Sequence, residues 1–370
     1  MRLAIVIIAL LARTFVQPAT AQDTAAVDRI LAAYQGKKPG AALLVIKDGS
    51  VLLERCYGYA NLEQHIPVTE ATNFRLASIS KQFTATCVLQ LIDAGKLTLH
   101  TTLAEAFPGF PSYGAHVTVA HLLTHTSGIP DYEDYVADTA FNPQIRDQGV
   151  LDILMRLNSG YFAPGTQYRY SNSGYALLAL LVEKYSGQPY STYLQQHIFS
   201  PLGMGATLAH EAGKTTVATR AYGYAQHNGQ WERRDQSATS AVLGDGGIYS
   251  SVNDLVKWDQ ALYAGTLLDR RLIEQSFAYH QLANGDTVHY GYGWHLKKTS
   301  QGDQVVYHTG SSTSFRNVFY RVPSRQFSII LLTNRNQPAE EEMVILAERI
   351  AAVLAPHKSV EDESRVPPSY

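Results

Sequence analysis

Cysteine and charge are both scarce in this sequence of 370 residues, which has two cysteines, Cys56 and Cys87, and 17% charged residues. Two cysteines exclude a disulfide-dense scaffold and leave open one disulfide or two buried free thiols. The 30 Lys and Arg against 32 Asp and Glu give a formal charge of -2, and no basic run occurs. Nucleic acid is therefore not expected as a partner. Because 45% of the residues are hydrophobic, we expect a globular chain with two domains or one two-lobed unit.

Long apolar runs are absent apart from Leu3 to Ala12, whereas a bilayer-spanning helix needs about 20 residues. This run follows Arg2 and precedes the small residues Ala19-Thr20-Ala21, which is the pattern of a secretory signal peptide. We predict that residues 1–21 are a signal peptide cleaved after Ala21. The mature protein is then expected to be secreted or periplasmic, without stable membrane insertion. An uncleaved anchor is the alternative.

Motifs of several other enzyme classes are also missing. Gly-x-Ser-x-Gly, the nucleophile turn of α/β-hydrolases, does not occur, and neither does a phosphate-binding loop. His121 and His125 have the spacing of zinc ligands but lack the accompanying Glu and an evident third ligand. The segment 244–247 is similar to a trypsin-type nucleophile loop but contains no serine. We therefore expect no metal and no organic cofactor.

The order of the predicted elements favours an α+β fold. Apolar runs on either side of an Asp48-Gly49 turn predict a hairpin near the start, and three more strands are predicted near the end. We expect both chain ends to form one mostly antiparallel sheet covered by terminal helices, with the helical middle as a second lobe across a cleft. The predicted elements are helices at 23–34, 80–94, 173–185, 255–263 and 338–354, strands at 40–46, 51–57, 305–308, 315–322 and 327–333, and a disordered tail at 357–370.

The segment Ser78-Ile79-Ser80-Lys81 is the first candidate for chemistry because it lies at the start of a predicted buried helix. A serine there is near free backbone N–H groups, and a lysine three residues later lies on the same helix face. A serine hydroxyl needs an adjacent base to become a nucleophile. Lysine can be that base when its pKa falls from about 10.4 towards neutrality. The alternative is a helix-capping Ser78 beside a surface Lys81.

A second candidate segment, Tyr170-Ser171-Asn172, precedes another predicted helix. The phenol of Tyr170 can relay a proton, and the amide of Asn172 can both donate and accept hydrogen bonds. Because Tyr59-Ala60-Asn61 has the same pattern, the tripeptide alone does not discriminate between a catalytic and a packing role.

A third candidate segment, 308–311, follows a predicted strand. His308 offers a proton or a positive charge, Thr309 offers a hydroxyl, and Gly310 lets the backbone approach a ligand closely. A strand-end histidine with satisfied hydrogen bonds is the alternative interpretation.

Together, the three segments have an order and spacing that resembles the penicillin-recognising serine hydrolases. The nearest branch contains class C β-lactamases, D-alanyl-D-alanine carboxypeptidases and β-lactamase-like esterases. The resemblance covers roughly 27–354 and includes the stretches 57–61, 121–128 and 246–251. It implies a β-lactamase/transpeptidase-like fold, with an antiparallel five-stranded sheet flanked by helices plus a helical lobe, in a single catalytic domain at 22–356.

The resemblance also implies a role for each candidate residue. Ser78 would be the acylated nucleophile, and Lys81 and Tyr170 would share the general base and acid work. The other implied contacts are Asn172 with the substrate amide or ester, Thr309 with a substrate carboxylate or carbonyl, and the backbone N–H groups of Ser78 and Ser311 as an oxyanion hole.

One position departs from the β-lactamases of this branch, most of which have Lys where this chain has His308. A histidine is largely neutral above about pH 6.5, and His-Thr-Gly resembles the carboxypeptidases and some of the esterases instead. The sequence thus predicts an exported serine hydrolase that acts through a Ser78 acyl-enzyme on a small ester or an amide or peptide. The alternatives are a β-lactamase or D-alanyl-D-alanine carboxypeptidase, or a catalytically silent binding or scaffold relative.

Overall fold

The structure, a computed structural model, describes residues 18–137 and 143–355. The predicted tail at 357–370 and residues 1–17 of the predicted signal peptide lie outside the described residues. The helices are α1 (Ala21–Ile30), α2 (Lys81–Asp93), α3 (Leu103–Ala106), α4 (Val119–Leu123), α5 (Asp147–Leu154), α6 (Asn172–Ser186), α7 (Tyr190–Leu194), α8 (Leu243–Gly246), α9 (Val252–Ala264), α10 (Arg270–Ser276) and α11 (Glu340–Leu354). The strands are β1 (Ala41–Lys47), β2 (Ser50–Tyr57), β3 (Tyr59–Asn61), β4 (Ile66–Pro67), β5 (Phe74–Arg75), β6 (Leu208–Ala209), β7 (Tyr224–His227), β8 (Gln230–Arg233), β9 (Ile248–Ser250), β10 (His280–Gln281), β11 (Thr287–Val288), β12 (His295–Lys298), β13 (Gln304–Ser312), β14 (Phe315–Val322) and β15 (Phe327–Thr333).

The main sheet joins both ends of the chain, and the predicted α+β fold is confirmed. Its strands pair antiparallel in the order β12-β13-β14-β15-β1-β2, and β1 lies beside β15 with Ala41 opposite Thr333. The sheet has six strands rather than the predicted five. The additional strand is β12, whose His-Leu-Lys-Lys sequence is short and lacks a run of β-branched or aromatic residues. Its pairing with β13 holds it at the sheet edge.

Both faces of the sheet are covered, which explains why β1 is an unbroken apolar run. Leu43 and Val45 pack in one core cluster with apolar residues of α1 and α11. Leu44 and Ile46 point the other way, into a second cluster that includes residues of α2, α6 and α9. The sheet is therefore a buried layer between the two terminal helices and the helical part of the chain.

The two cysteines are free thiols, so of the two alternatives the unpaired one is found. Cys87 is buried on α2, and burial raises the pKa of its thiol well above 9. Cys56 is half-buried on β2. In the described ranges, no helix is long and apolar enough to cross a membrane.

Candidate active site

Ser78 is held by a 3₁₀ turn, Ala77–Ser80, that leads directly into α2. Ser78 is half-buried while its neighbours on both sides are buried, so its side chain is the exposed part of the turn. Ala77 has a φ of 49°, a left-handed conformation that residues other than glycine adopt only when their surroundings hold it. Two cavities, of about 280 and 710 Å³, both have Ser78 in their walls.

Lys81 is fully buried, and its side-chain nitrogen makes three hydrogen bonds. Nζ lies 3.1 Å from Ser78 Oγ, 2.8 Å from Asn172 Oδ1 and 2.9 Å from the backbone oxygen of Asp245. The last two atoms can only accept, so they take two N–H groups and leave the third position of Nζ facing Ser78. Burial lowers the pKa of Lys81, and the neutral amine can accept the Ser78 proton at that third position.

Asn172 is held by two carboxylates at the start of the 3₁₀ helix Tyr132–Tyr135, one on its backbone and one on its side chain. Its backbone N–H donates to Asp131 Oδ2 at 2.6 Å, and its Nδ2 donates to Glu133 Oε2 at 3.1 Å. These contacts turn Oδ1 of Asn172 towards Lys81. Burial raises the pKa of the Glu133 carboxyl to about 7, with nearby Asp245 and Asp131 adding to the effect.

Asp245 supports Lys81 from the other side. Its backbone oxygen accepts a Lys81 hydrogen bond, and its carboxylate accepts one from the Tyr132 hydroxyl at 2.7 Å. Burial raises the pKa of Asp245 to about 7, an effect that the positive charge of Lys81 opposes. This residue belongs to the 244–247 segment that lacks a nucleophilic serine, and its backbone oxygen fixes the position of the Lys81 amine.

Tyr170 lies beside Lys81, whose Nζ is 4.9 Å from the centre of the phenol ring. The ring packs on His125 with a centroid distance of 4.2 Å, and His125 Nδ1 accepts a hydrogen bond from the backbone N–H of Ser171 at 3.1 Å. Burial raises the pKa of Tyr170 well above 10, while the neighbouring Ser78 hydroxyl opposes the rise. Tyr170 Oη has no hydrogen-bond partner of ordinary length within the described part of the chain. The group is therefore a protonated phenol with an available O–H.

Both ring nitrogens of His308 are engaged in hydrogen bonds. Nδ1 lies 2.6 Å from the backbone oxygen of Thr309, which can only accept, so Nδ1 carries a proton. Nε2 lies 2.8 Å from the Tyr290 hydroxyl, which donates to it when the imidazole is neutral. Burial lowers the pKa of His308 well below 6.5, and the positive charge of Lys81 contributes. A histidine in this state supplies no positive charge to the site.

Thr309 and Ser311 lie within strand β13, which continues to Ser312 instead of ending at His308 as predicted. The extension exists because β14 keeps pairing with it as far as Ser312 opposite Phe315. Thr309 Oγ1 donates to Glu340 Oε1 at 2.5 Å, and Glu340 is the first residue of α11. The threonine hydroxyl is thus already engaged by a carboxylate of the protein.

Gly310 also allows a close approach within the protein, to the turn that carries Ser78; its predicted role towards a ligand stays a prediction. A Cβ at Gly310 would lie 2.0 Å from the backbone oxygen of Leu76.

We expect Gly310→Ala to lower the free energy of unfolding by about 1–3 kcal/mol and to lower kcat/KM, since β13 must move away from the Ser78 turn. Urea unfolding and initial rates measure both effects. Gly205→Ala is the matched control, because a Cβ there meets nothing within 4 Å; equal behaviour of the two variants would contradict the prediction.

The structure brings together all the predicted site residues, with Gly310 lying on β13 against the turn that carries Ser78 and outside the wall of the larger cavity. The walls of the larger cavity contain Ser78, Tyr170, Asn172, His308, Thr309 and Ser311, with Lys81 hydrogen-bonded to Ser78. Sequence reasoning missed Glu133, Asp245, Tyr290 and Glu340. His125 was considered only as a zinc ligand, and within 18–137 and 143–355 no group of three or more His, Cys, Asp or Glu is placed to hold a metal ion.

A hydroxyl beside a buried amine, with a protonated phenol close to both, defines the chemistry of a serine hydrolase that works without a histidine base. The chain belongs to the Beta-lactamase family, whose model matches residues 17–354. This membership agrees with the resemblance of its three ordered segments and confirms the predicted superfamily and serine hydrolase class.

Individual relatives agree with this assignment. Penicillin-binding protein 4* of Bacillus subtilis is 33% identical over 317 residues, which cover 82% of this chain and 70% of that protein. A D-aminopeptidase of Gluconobacter oxydans is 30% identical over 365 residues, or 95% of this chain and 66% of the relative. The crystal structure of a penicillin binding protein from Bacillus halodurans has a TM-score of 0.75 at 28% identity, over 87% of this chain and 98% of that one. The two sequence relatives are thus longer than the part that this chain spans.

Proposed function

We propose that the protein hydrolyses an amide or peptide bond through an acyl-enzyme on Ser78. The observation that carries the proposal is the position of Lys81 Nζ, 3.1 Å from Ser78 Oγ with its two other hydrogen bonds going to fixed acceptors. That arrangement orients a lone pair of the neutral amine at the hydroxyl proton. The relatives named D-aminopeptidase and penicillin-binding protein support a peptide or amide substrate.

The proposed reaction has two halves. Ser78 Oγ attacks the carbonyl carbon while Lys81 takes its proton, and the new O–C bond gives a tetrahedral intermediate. The C–N bond then breaks as the leaving amine receives a proton from Lys81 through the phenol of Tyr170. In the second half, water attacks the carbonyl carbon of the ester and gives its proton to Lys81 by the same route. The C–Oγ bond then breaks, the acid leaves, and Lys81 returns the proton to Ser78 Oγ.

Two further groups of contacts would stabilise the intermediate and hold the substrate. We propose that the backbone N–H groups of Ser78 and Ser311 donate to the oxyanion, where a single donor is typically worth about 3–4 kcal/mol. Asn172 would donate to the substrate amide or accept from it. The proposal includes export, for which the signal-like pattern of residues 1–21 is the support.

Two other substrate classes compete with amides and peptides. A small ester fits the same chemistry, because an alkoxide leaves more easily than an amine. A β-lactamase is disfavoured by His308, since a neutral imidazole does not attract the β-lactam carboxylate. We therefore rank peptides and amides first, esters second and β-lactams third.

Covalent labelling tests the proposal directly. The purified protein treated with a fluorophosphonate is expected to gain one adduct by intact mass, located on Ser78 by peptide mapping. Ser78→Ala should gain none and should not hydrolyse a nitrophenyl ester or a dipeptide amide. Ser312→Ala is the matched control, because Ser312 lies in the wall of the smaller cavity with Ser78 and should leave labelling intact. Labelling that persists in Ser78→Ala would place the reactive nucleophile elsewhere, and no labelling at all would favour a silent binding relative; either result would exclude the acyl-enzyme on Ser78.

A further inference from the structure

The hydrogen bond from Thr309 to Glu340 occupies the hydroxyl group that a substrate carboxylate would use. Thr309 is 7% exposed and Glu340 is half-buried, with 2.5 Å between Oγ1 and Oε1. The threonine hydroxyl has a single proton, and Glu340 accepts it. A substrate carboxylate brought to Thr309 would find an acceptor already there and would lie beside a second negative charge.

The rest of this cavity adds negative charge. Its walls contain the acidic residues Glu133, Glu340, Glu341 and Glu348. Glu133 is only partly ionised near neutral pH, because its pKa is raised to about 7. Lys297 is the one Lys or Arg among the described wall residues, and its Nζ is paired with Glu348. Paired unlike charges largely cancel, so Glu340 and Glu341 leave the cavity with a negative charge.

Three neighbouring groups bear on the charge of Glu340. Burial disfavours a positive charge on His308, whose ring nitrogens contact Thr309 and Tyr290. Arg316 and Lys81 interact electrostatically with Glu340. Arg316 Nη1 donates to backbone oxygens outside the cavity wall, and Lys81 Nζ is hydrogen-bonded to Ser78, Asn172 and Asp245. The Thr309 end of the site therefore combines an occupied hydroxyl with a carboxylate that forms no ion pair with another described residue.

We propose that Glu340 is a specificity-determining residue that rejects substrates with a carboxylate at the Thr309 end of the site. The group accepted there is uncharged or carries an ammonium. This inference rests on the proposed acyl-enzyme function and narrows its substrate class. It separates the protein from a carboxypeptidase, whose substrate ends in a free carboxylate beside the scissile bond.

The test is a matched set of N-acetyl dipeptides with the same scissile amide and a C-terminal carboxylate, carboxamide or aminoethylamide. We expect the wild-type protein to favour the carboxamide and the aminoethylamide over the carboxylate at least about tenfold in kcat/KM, a factor equivalent to about 1.4 kcal/mol. Glu340→Gln keeps an acceptor for Thr309 and removes the charge. It should reduce that preference at least about fivefold by raising kcat/KM for the carboxylate.

Glu341→Gln is the matched control, because it removes the same charge from the next residue of the same cavity, which is exposed. It should change the preference less than about twofold, as expected for a screened surface charge. Inhibition constants for a carboxyphenylboronic acid and its carboxamide, which form adducts with Ser78, give the same ratio without turnover. If Glu340→Gln leaves the preference for uncharged substrates unchanged, or if Glu341→Gln reduces it equally, the inference about Glu340 is overturned and the proposed function is not. Absence of hydrolysis, boronate inhibition and fluorophosphonate labelling together would overturn the proposed function and the inference with it.

Discussion

Replacing Lys81 with methionine is expected to lower kcat/KM by about 10³-fold or more, because the Ser78 hydroxyl then has no adjacent base. Methionine has nearly the length of lysine and suits a fully buried position. Circular dichroism and a thermal melt establish that the variant is folded, and initial rates on a dipeptide amide measure the loss. Residual activity within about tenfold of the wild type would contradict the role of Lys81.

Lys81→Arg separates the need for a base from the need for a positive charge. Arginine keeps the charge but does not deprotonate in proteins, so it cannot accept the Ser78 proton. We expect Lys81→Arg to be as inactive as Lys81→Met. An active arginine variant would mean that the charge, and not the basicity, of Lys81 is needed.

The pH dependence of the wild-type protein follows from the same amine. Burial lowers the pKa of Lys81, so kcat/KM should rise as the pH passes upward through that pKa and the neutral amine forms. Glu133 raises the pKa of Lys81 through its charge. In Glu133→Gln, the acid limb of the kcat/KM profile should therefore still be present, with its midpoint shifted to lower pH. Loss of the limb in Glu133→Gln would assign the titration to Glu133, whose own pKa is about 7.

The Ser78 and Lys81 pair was predictable because its geometry is local. Three residues on a helix bring two side chains to the same face, and the start of a helix is recognisable from the change in pattern. The groups that hold Lys81 in place were not predictable in this way. Asp245 is 164 residues away and contributes its backbone oxygen, a group that every residue has. Nothing in the type of residue 245 could therefore indicate the contact.

Glu340 and Gly310 show a second limit of sequence reasoning. Glu340 lies in the first turn of the helix predicted at 338–354, in a run of three glutamates, where acidic residues are common because of the helix dipole. The sequence explains its presence there without reference to Thr309. For Gly310 the sequence predicted a close approach of a ligand and gave no sign of the close approach to the backbone of Leu76 that the structure contains. Both outcomes depend on which segments the sheet brings together.

A buried ion pair fixes α9 to the main sheet and is the second place where one substitution should have a large effect. Arg321 on β14 donates through Nε to Asp259 Oδ1 on α9 at 2.7 Å, and both side chains are 1% exposed. Ser328 on β15 donates to the same oxygen at 2.7 Å, and the guanidinium lies 4.3 Å from the ring centre of Tyr263. The residue next to Asp259, Trp258, donates to Gln82 beside Lys81, which connects α9 to α2.

We expect Asp259→Ala to lower the free energy of unfolding by about 3–5 kcal/mol, because it leaves a charged Arg321 buried without its partner. Urea unfolding followed by fluorescence or circular dichroism measures the change. The matched control is Arg270→Ala, which breaks an exposed i, i+4 pair with Glu274 and should cost less than about 0.5 kcal/mol. Similar losses in the two variants would contradict the assignment of stability to the buried pair.

The double variant Asp259→Leu/Arg321→Met shows whether the large loss comes from an unpaired charge or from lost contacts. Removing both charges leaves no buried ion, and apolar residues of similar volume can pack in their place. The double variant should therefore be more stable than Asp259→Ala by about 1 kcal/mol or more. It should also keep wild-type kcat/KM at temperatures where it is folded, since neither residue touches the Ser78 site. A double variant less stable than Asp259→Ala would mean that the contacts of the two side chains with Tyr263 and Ser328 provide most of the stabilisation, and that their charges do not.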